Sequence, residues 1–121
     1  MFPPIFQVCA ANAAVKAALG SGPVRLFPFG EAPQNVAKPY AVWRQFGGLP
    51  ENYLGQRPDL DTFRLQVDVF GTTGAAATAA AEAIRDAIEL RAHITRWGSA
   101  ERDPSTANYR VSFDVEWLTR R

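Results

Sequence analysis

Between Phe63 and Val69 the chain alternates without a break. Phe63, Leu65, Val67 and Val69 are apolar, and Arg64, Gln66 and Asp68 between them are polar or charged. A period of two marks a strand with one face on a core and the other toward water or a partner. The same beat returns near the end of the chain. Tyr109, Val111, Phe113, Val115 and Trp117 face one way, and Arg110, Ser112, Asp114 and Glu116 the other. Between these strands lies AAATAAAEAIRDAIELRA, which is helical by propensity. Thr72 or Thr73 is placed to cap it. Its apolar face is expected to comprise Ala76, Ala80, Ala83, Ile84, Ala87 and Ile88.

The first segment has a different period. Pro3 and Pro4 suit a first helical turn, where the missing N–H does no harm. Ile5, Val8, Cys9, Asn12, Val15, Lys16 and Leu19 then recur at helical spacing, apolar except for Asn12 and Lys16. The spacing predicts one amphipathic helix over residues 4–19, about four turns long, stopped by Gly20-Ser21-Gly22-Pro23. Residues 24–29 form a short strand candidate ended by Gly30, and residues 40–46 a second. Residues 47–61 carry three glycines and two prolines and read as a long connection. A short strand around 93–100 and a turn at Asp103-Pro104-Ser105 precede the final strand.

One domain over 1–121 follows, of α+β class. It is a two-layer arrangement in which a mostly antiparallel sheet of about four to five strands packs with two helices.

The loop before the second strand, GEAPQNVAKPY, is rigid and carries no evident chemistry. Pro33 and Pro39 fix φ near its ends, and Pro39 precedes the strand where no ladder donor is needed. Tyr40 and Trp43 fall on opposite faces of that strand. Two readings stand: both are core aromatics, or one anchors a contact with a neighbour.

Composition narrows the function more than it defines it. The 121 residues are 47% hydrophobic and 21% charged, with a formal net charge of +1. No global basic field points to nucleic acid. The single cysteine, Cys9, rules out an internal disulfide and reads as a small buried hydrophobe rather than a nucleophile. The single histidine, His93, has no second imidazole to share a metal. No cofactor or metal site is expected: the glycines lack a phosphate-loop spacing, and no serine sits in a nucleophile elbow. Asp68 and Asp114 come close if their strands pair, but Arg64, Arg110 and Glu116 share those faces. Cross-strand or intersubunit ion pairs are therefore the simpler reading than an acid/base pair, and no catalytic residue is assigned. The first twenty residues lack a basic n-region and are not expected to be a signal peptide. No segment approaches the roughly 18–20 apolar residues of a membrane span, so no membrane partner is expected.

The linear order of motifs carries a resemblance. Pro33, Gln34, Pro39, Tyr40, Val42 and Trp43 match a Pro-Gln…Pro-Tyr-Val-Val-Trp lead into a strand. Arg64, Gln66, Val67, Asp68, Val69 and Phe70 match an Arg-Val-Gln-Val-Asp-Val-Tyr strand that runs into a helix, with Leu65 and Phe70 as conservative departures. Over nearly its whole length the chain resembles the tail-completion, or tail terminator, proteins of long-tailed bacteriophages. The resemblance implies a structural virion protein without enzymatic activity. It implies a homo-oligomeric ring, typically a hexamer, at the head-proximal end of the tail tube. Such a ring ends tube polymerisation and meets the connector or neck protein of the head. DNA passes through its lumen without sequence-specific binding. Assembly would take place in the host cytoplasm. Interface candidates on this reading are Tyr40, Trp43, Tyr53, Arg57, Arg64, Asp68, Arg110, Asp114 and Glu116. The alternatives are a neck adaptor of the same particle, or a small α+β ligand-binding dimer, which requires a closed apolar pocket.

Overall fold

The computed structural model describes residues 3–51, 55, 57–104 and 108–120. Three helices and five strands follow in the order α1 (Ile5–Ala10), α2 (Ala13–Leu19), β1 (Leu26–Pro28), β2 (Tyr40–Pro50), β3 (Leu60–Gly71), α3 (Gly74–Ile88), β4 (Ala92–Arg102) and β5 (Tyr109–Arg120). The strands form one sheet in the order β1-β2-β3-β5-β4. All neighbours are antiparallel except β1 and β2. The helices cover one face of this sheet, as the two-layer α+β expectation requires. No helix among the described residues is long and apolar enough to cross a membrane.

The alternation in β3 and β5 becomes the core. The two strands pair without a shift from Leu60↔Arg120 to Gly71↔Tyr109. Leu65 therefore lies opposite Val115, Val67 opposite Phe113, and Val69 opposite Val111. Phe113 is the largest fully buried side chain, and each such burial contributes roughly 1.5–3 kcal/mol.

One predicted helix is two. Asn12 interrupts the 4–19 stripe with an extended backbone (φ −97°, ψ 127°), and its Oδ1 accepts the Val15 N–H at 3.1 Å. A short amide side chain competes with the helical ladder and is better used as a cap. The apolar positions survive the break, since Ile5 and Cys9 of α1 and Val15 and Leu19 of α2 all reach the core. Burial pushes the Cys9 thiol up to about 12. Gly20 ends α2 at φ +83°, where a side chain would be strained and would also meet Arg25.

The face of α3 is rotated from the expected one. Ala77, Ala80, Ala81, Ile84, Ala87 and Ile88 are buried, while Ala76 and Ala83 are only half-buried flanks. The cause is the start of the helix. Thr73 caps it by accepting the Ala76 N–H at 3.1 Å. The first turn then lies against Gly71, where an added Cβ would sit 2.9 Å from the Ala77 nitrogen. Only glycine at the end of β3 admits the helix so closely.

The strands run longer than the sequence suggests. β2 continues to Pro50 past Gly47 and Gly48, through a bulge between Gln45 and Gly47. β4 spans Ala92–Arg102 with two irregularities, at Ile94/Arg96 and Trp97/Ala100.

Asn12→Ala is expected to lower stability by about 1 kcal/mol in urea unfolding, with Asn12→Asp close to the native value. A native-like Asn12→Ala midpoint would mean that the cap contributes nothing. Cys9 is expected to resist alkylation at pH 8 until denaturant is added, and rapid labelling of the native protein would contradict its burial.

Candidate functional site

The sheet face opposite the helices gathers most of the polar residues that the sequence singles out. It is built from even-numbered positions of β3 and β5, flanked by Tyr40, Val42 and Arg44 of β2 and by His93, Arg96 and Glu101 of β4. Arg44 donates through Nε and Nη2 to Gln66 Oε1 at 3.2 and 2.7 Å. Gln66 Nε2 in turn donates to Asp68 at 3.2 Å. Arg96 pairs with Asp114 at 3.6 Å, and Arg110 with Glu101 at 3.0 Å. Arg64 stands opposite Glu116 in the register, exposed and without an ion pair among the described residues. Five arginines (Arg44, Arg64, Arg96, Arg110, Arg120) thus face four carboxylates (Asp68, Glu101, Asp114, Glu116), and the charges nearly cancel.

Asp68 and Asp114 do not form an acid/base pair. Asp68 is opposite Ser112 and Asp114 opposite Gln66, and each has its own polar partner. The ion pairs cross strands within the chain, and exposed pairs of this kind contribute about 0–1 kcal/mol each.

The two aromatics of the lead strand are separated as their spacing requires. Tyr40 lies on the polar face, stacked on Phe70 with centroids 5.0 Å apart and planes at 20°. Trp43 points the other way and is 8% exposed, within the core. Of this pair, only Tyr40 is on the surface. Arg57 is exposed on the β2–β3 connection, and Tyr53 lies outside the described residues. The loop is tied to the fold where Arg25 Nε donates to the Pro39 carbonyl at 3.0 Å.

The structure adds residues that sequence reasoning missed. Phe29, at 71% exposure, overhangs the polar face and closes a hollow of about 230 Å³ with Val42, Arg44, Gln66, Asp68 and Arg110. Phe46, Leu49, Trp97 and Leu118 are also at least half exposed or nearly so. Their only signal in the sequence was apolar type, which does not distinguish core from surface. A hollow of about 700 Å³ is lined by Glu51, Glu89, Arg91 and Glu116 together with Leu60, Leu90 and Leu118. It is a surface groove of mixed character, unlike the closed apolar pocket a ligand-binding module requires. Among the described residues, no group of three His, Cys, Asp or Glu side chains is placed to hold a metal.

Comparison with known proteins identifies the family. The model for tail completion protein gp17 matches residues 3–120. A chain from the virion of a native gene transfer agent particle has a similar structure, with a TM-score of 0.73 at 15% identity, covering 97% of this chain and 92% of that one. At that identity the likeness shows the fold. No curated protein sequence matches. The chain belongs to the tail completion family, as its motifs suggested, and is a bacteriophage-type structural virion protein.

Charge reversal on the polar face tests its role in the fold. Arg64→Glu is expected to change stability by less than about 0.5 kcal/mol, because an exposed, unpaired arginine contributes little. A larger loss in thermal or urea unfolding would show that Arg64 supports the sheet.

Proposed function

We propose, from membership in the tail completion family, that this protein ends the tail tube. Copies join into a ring, a hexamer on this reading, at the head-proximal end of the tube. The ring blocks further addition of tube subunits and presents its other side to the connector or neck protein. DNA crosses the lumen on its way out of the head. The protein assembles in the host cytoplasm and remains in the virion.

The observation that best supports this reading is the balanced sheet face, considered with the family match. A basic face of this area would bind DNA by counterion release and retain it. Five positive and four negative side chains give no such field, yet they can discriminate between protein partners.

Native mass spectrometry with negative-stain microscopy is the direct test. Rings of sixfold symmetry, alone or on tubes, are expected. Adding the protein to polymerising tube subunits should shorten the tubes in proportion to its concentration. A tight dimer that binds a small molecule, with no effect on tube length, overturns the proposal. Arg64→Glu and Asp68→Lys, made singly, should reduce ring formation if the polar face makes subunit contacts. Normal rings from both would leave that face merely solvated.

A further inference from the structure

We infer that the rings are closed through the sheet itself: the β4 edge of one copy pairs with the uncovered half of the β2 edge of the next. The inference rests on the ring reading and adds the surface that makes it. Both edges of the sheet are incompletely covered. β1 pairs only with Ala41, Val42 and Trp43, although β2 runs on to Pro50. On that side Ala41 N–H donates to the Arg25 carbonyl, and the Trp43 carbonyl accepts from Phe29 N–H at 2.8 Å. Gln45 is next in the alternation, and no strand among the described residues reaches it from outside. On the opposite side β4 is the last strand, and no strand among the described residues pairs with its outer edge.

The side chains at these edges suit burial. Phe46 is 49% exposed and Leu49 62% exposed on the open half of β2, and Trp97 is 50% exposed in the middle of β4. Exposed apolar and aromatic residues on an unpaired strand are a liability in a protein that stays monomeric and are the usual anchors of an interface. The charges are complementary. The β2–β3 connection carries Glu51 and Asp59 against the single cation Arg57, with Asp61 following at the start of β3, whereas β4 and its approach carry Arg91, Arg96 and Arg102 against Glu89 and Glu101. The second copy is therefore the occupant that fits each edge.

Strand direction gives the pairing sense. β2 and β5 run one way, β3 and β4 the other. A rotation about an axis roughly along the strands preserves these directions, so β4 meets the neighbouring β2 antiparallel. The contact joins two different surfaces, which closes a ring rather than a dimer. The bulges at Gln45/Gly47 in β2 and along β4 bend both edges. Bent edges are poor templates for indiscriminate pairing, which favours a closed ring over an open fibre.

Hydrogen exchange on the full chain, as free subunit and as assembled ring, tests the inference. Amides in 45–49 and in 92–95 are expected to slow together by about tenfold or more on assembly. In parallel, Gln45→Cys and Ile94→Cys chains, level with one another across the sheet, are oxidised singly and mixed. Disulfides are expected only in the mixture. Rings with both edges still exchanging fast, or with β4 alone protected, overturn this inference and leave the ring. Cross-linked dimers from either variant alone indicate a twofold contact and overturn it as well. A protein that is monomeric both alone and on tubes overturns the ring reading and the inference together.

Discussion

The shift-free pairing of β3 with β5 is the constraint on which the rest of this structure depends. Its twelve register positions decide at once which residues form the core and which meet the outside. Leu65 with Val115 and Val67 with Phe113 fall on the helix side. Arg64 with Glu116 and Gln66 with Asp114 fall on the other. A slip of β5 by one residue would turn its side chains over, burying Arg110, Asp114 and Glu116 and exposing Val111, Phe113, Val115 and Trp117. The penalty for burying unpaired charges makes that alternative inaccessible. The register is thus held by both faces, and the face proposed to meet partners is a by-product of the face that folds.

The helix layer is adapted to the sheet rather than the reverse. α3 buries mostly alanine, with Ile84 and Ile88 filling the space toward its end. Small side chains let the helix lie low over β3 and β5, and Gly71 lets its first turn lie lower still. α1 and α2 then complete the cover from the side, supplying Ile5, Cys9, Val15 and Leu19. A bulky residue at Gly71 or on the alanine face would lift α3 and open the core from one end.

The sequence made the central ladder legible because alternation is a local signal and both strands carry it in full. Helix α3 was legible from propensity, but its rotation was not. That depended on an approach between Gly71 and Ala77 that only the packed structure contains. Asn12 was visible as an irregularity in the first stripe, yet the stripe is continued by both short helices, so periodicity alone concealed the break. The extension of β2 was hidden for the opposite reason. Gly47, Gly48 and Pro50 disfavour a strand locally, and pairing with β3, itself held on its far side by β5, overrides them. Pro50 can be accommodated because no strand lies on the outer side of β2 there. On the polar face, residue type and face were both readable for Arg64, Asp68, Arg110, Asp114 and Glu116. The split of Tyr40 from Trp43 followed from their spacing of three. The overhang of Phe29 was not readable, since it depends on the path of a loop.

The unread features of the sheet's strands share a location. Pro50, the bulge at Gln45/Gly47, Phe46 and Leu49 lie on the uncovered half of β2, and the β4 irregularities and Trp97 lie on the other open edge. The interior of the sheet obeys the local rules, and the margins break them. In a protein that functioned alone, margins would be selected to be short, charged or covered. Here both are long, and each presents exposed apolar side chains. A sheet of five strands has two edges wherever it stops, unless copies close on one another. For a protein of a family that completes a phage tail, a closed circle of sheets would meet both requirements, since it leaves no edge exposed and gives the tube a rim without a strand left to extend.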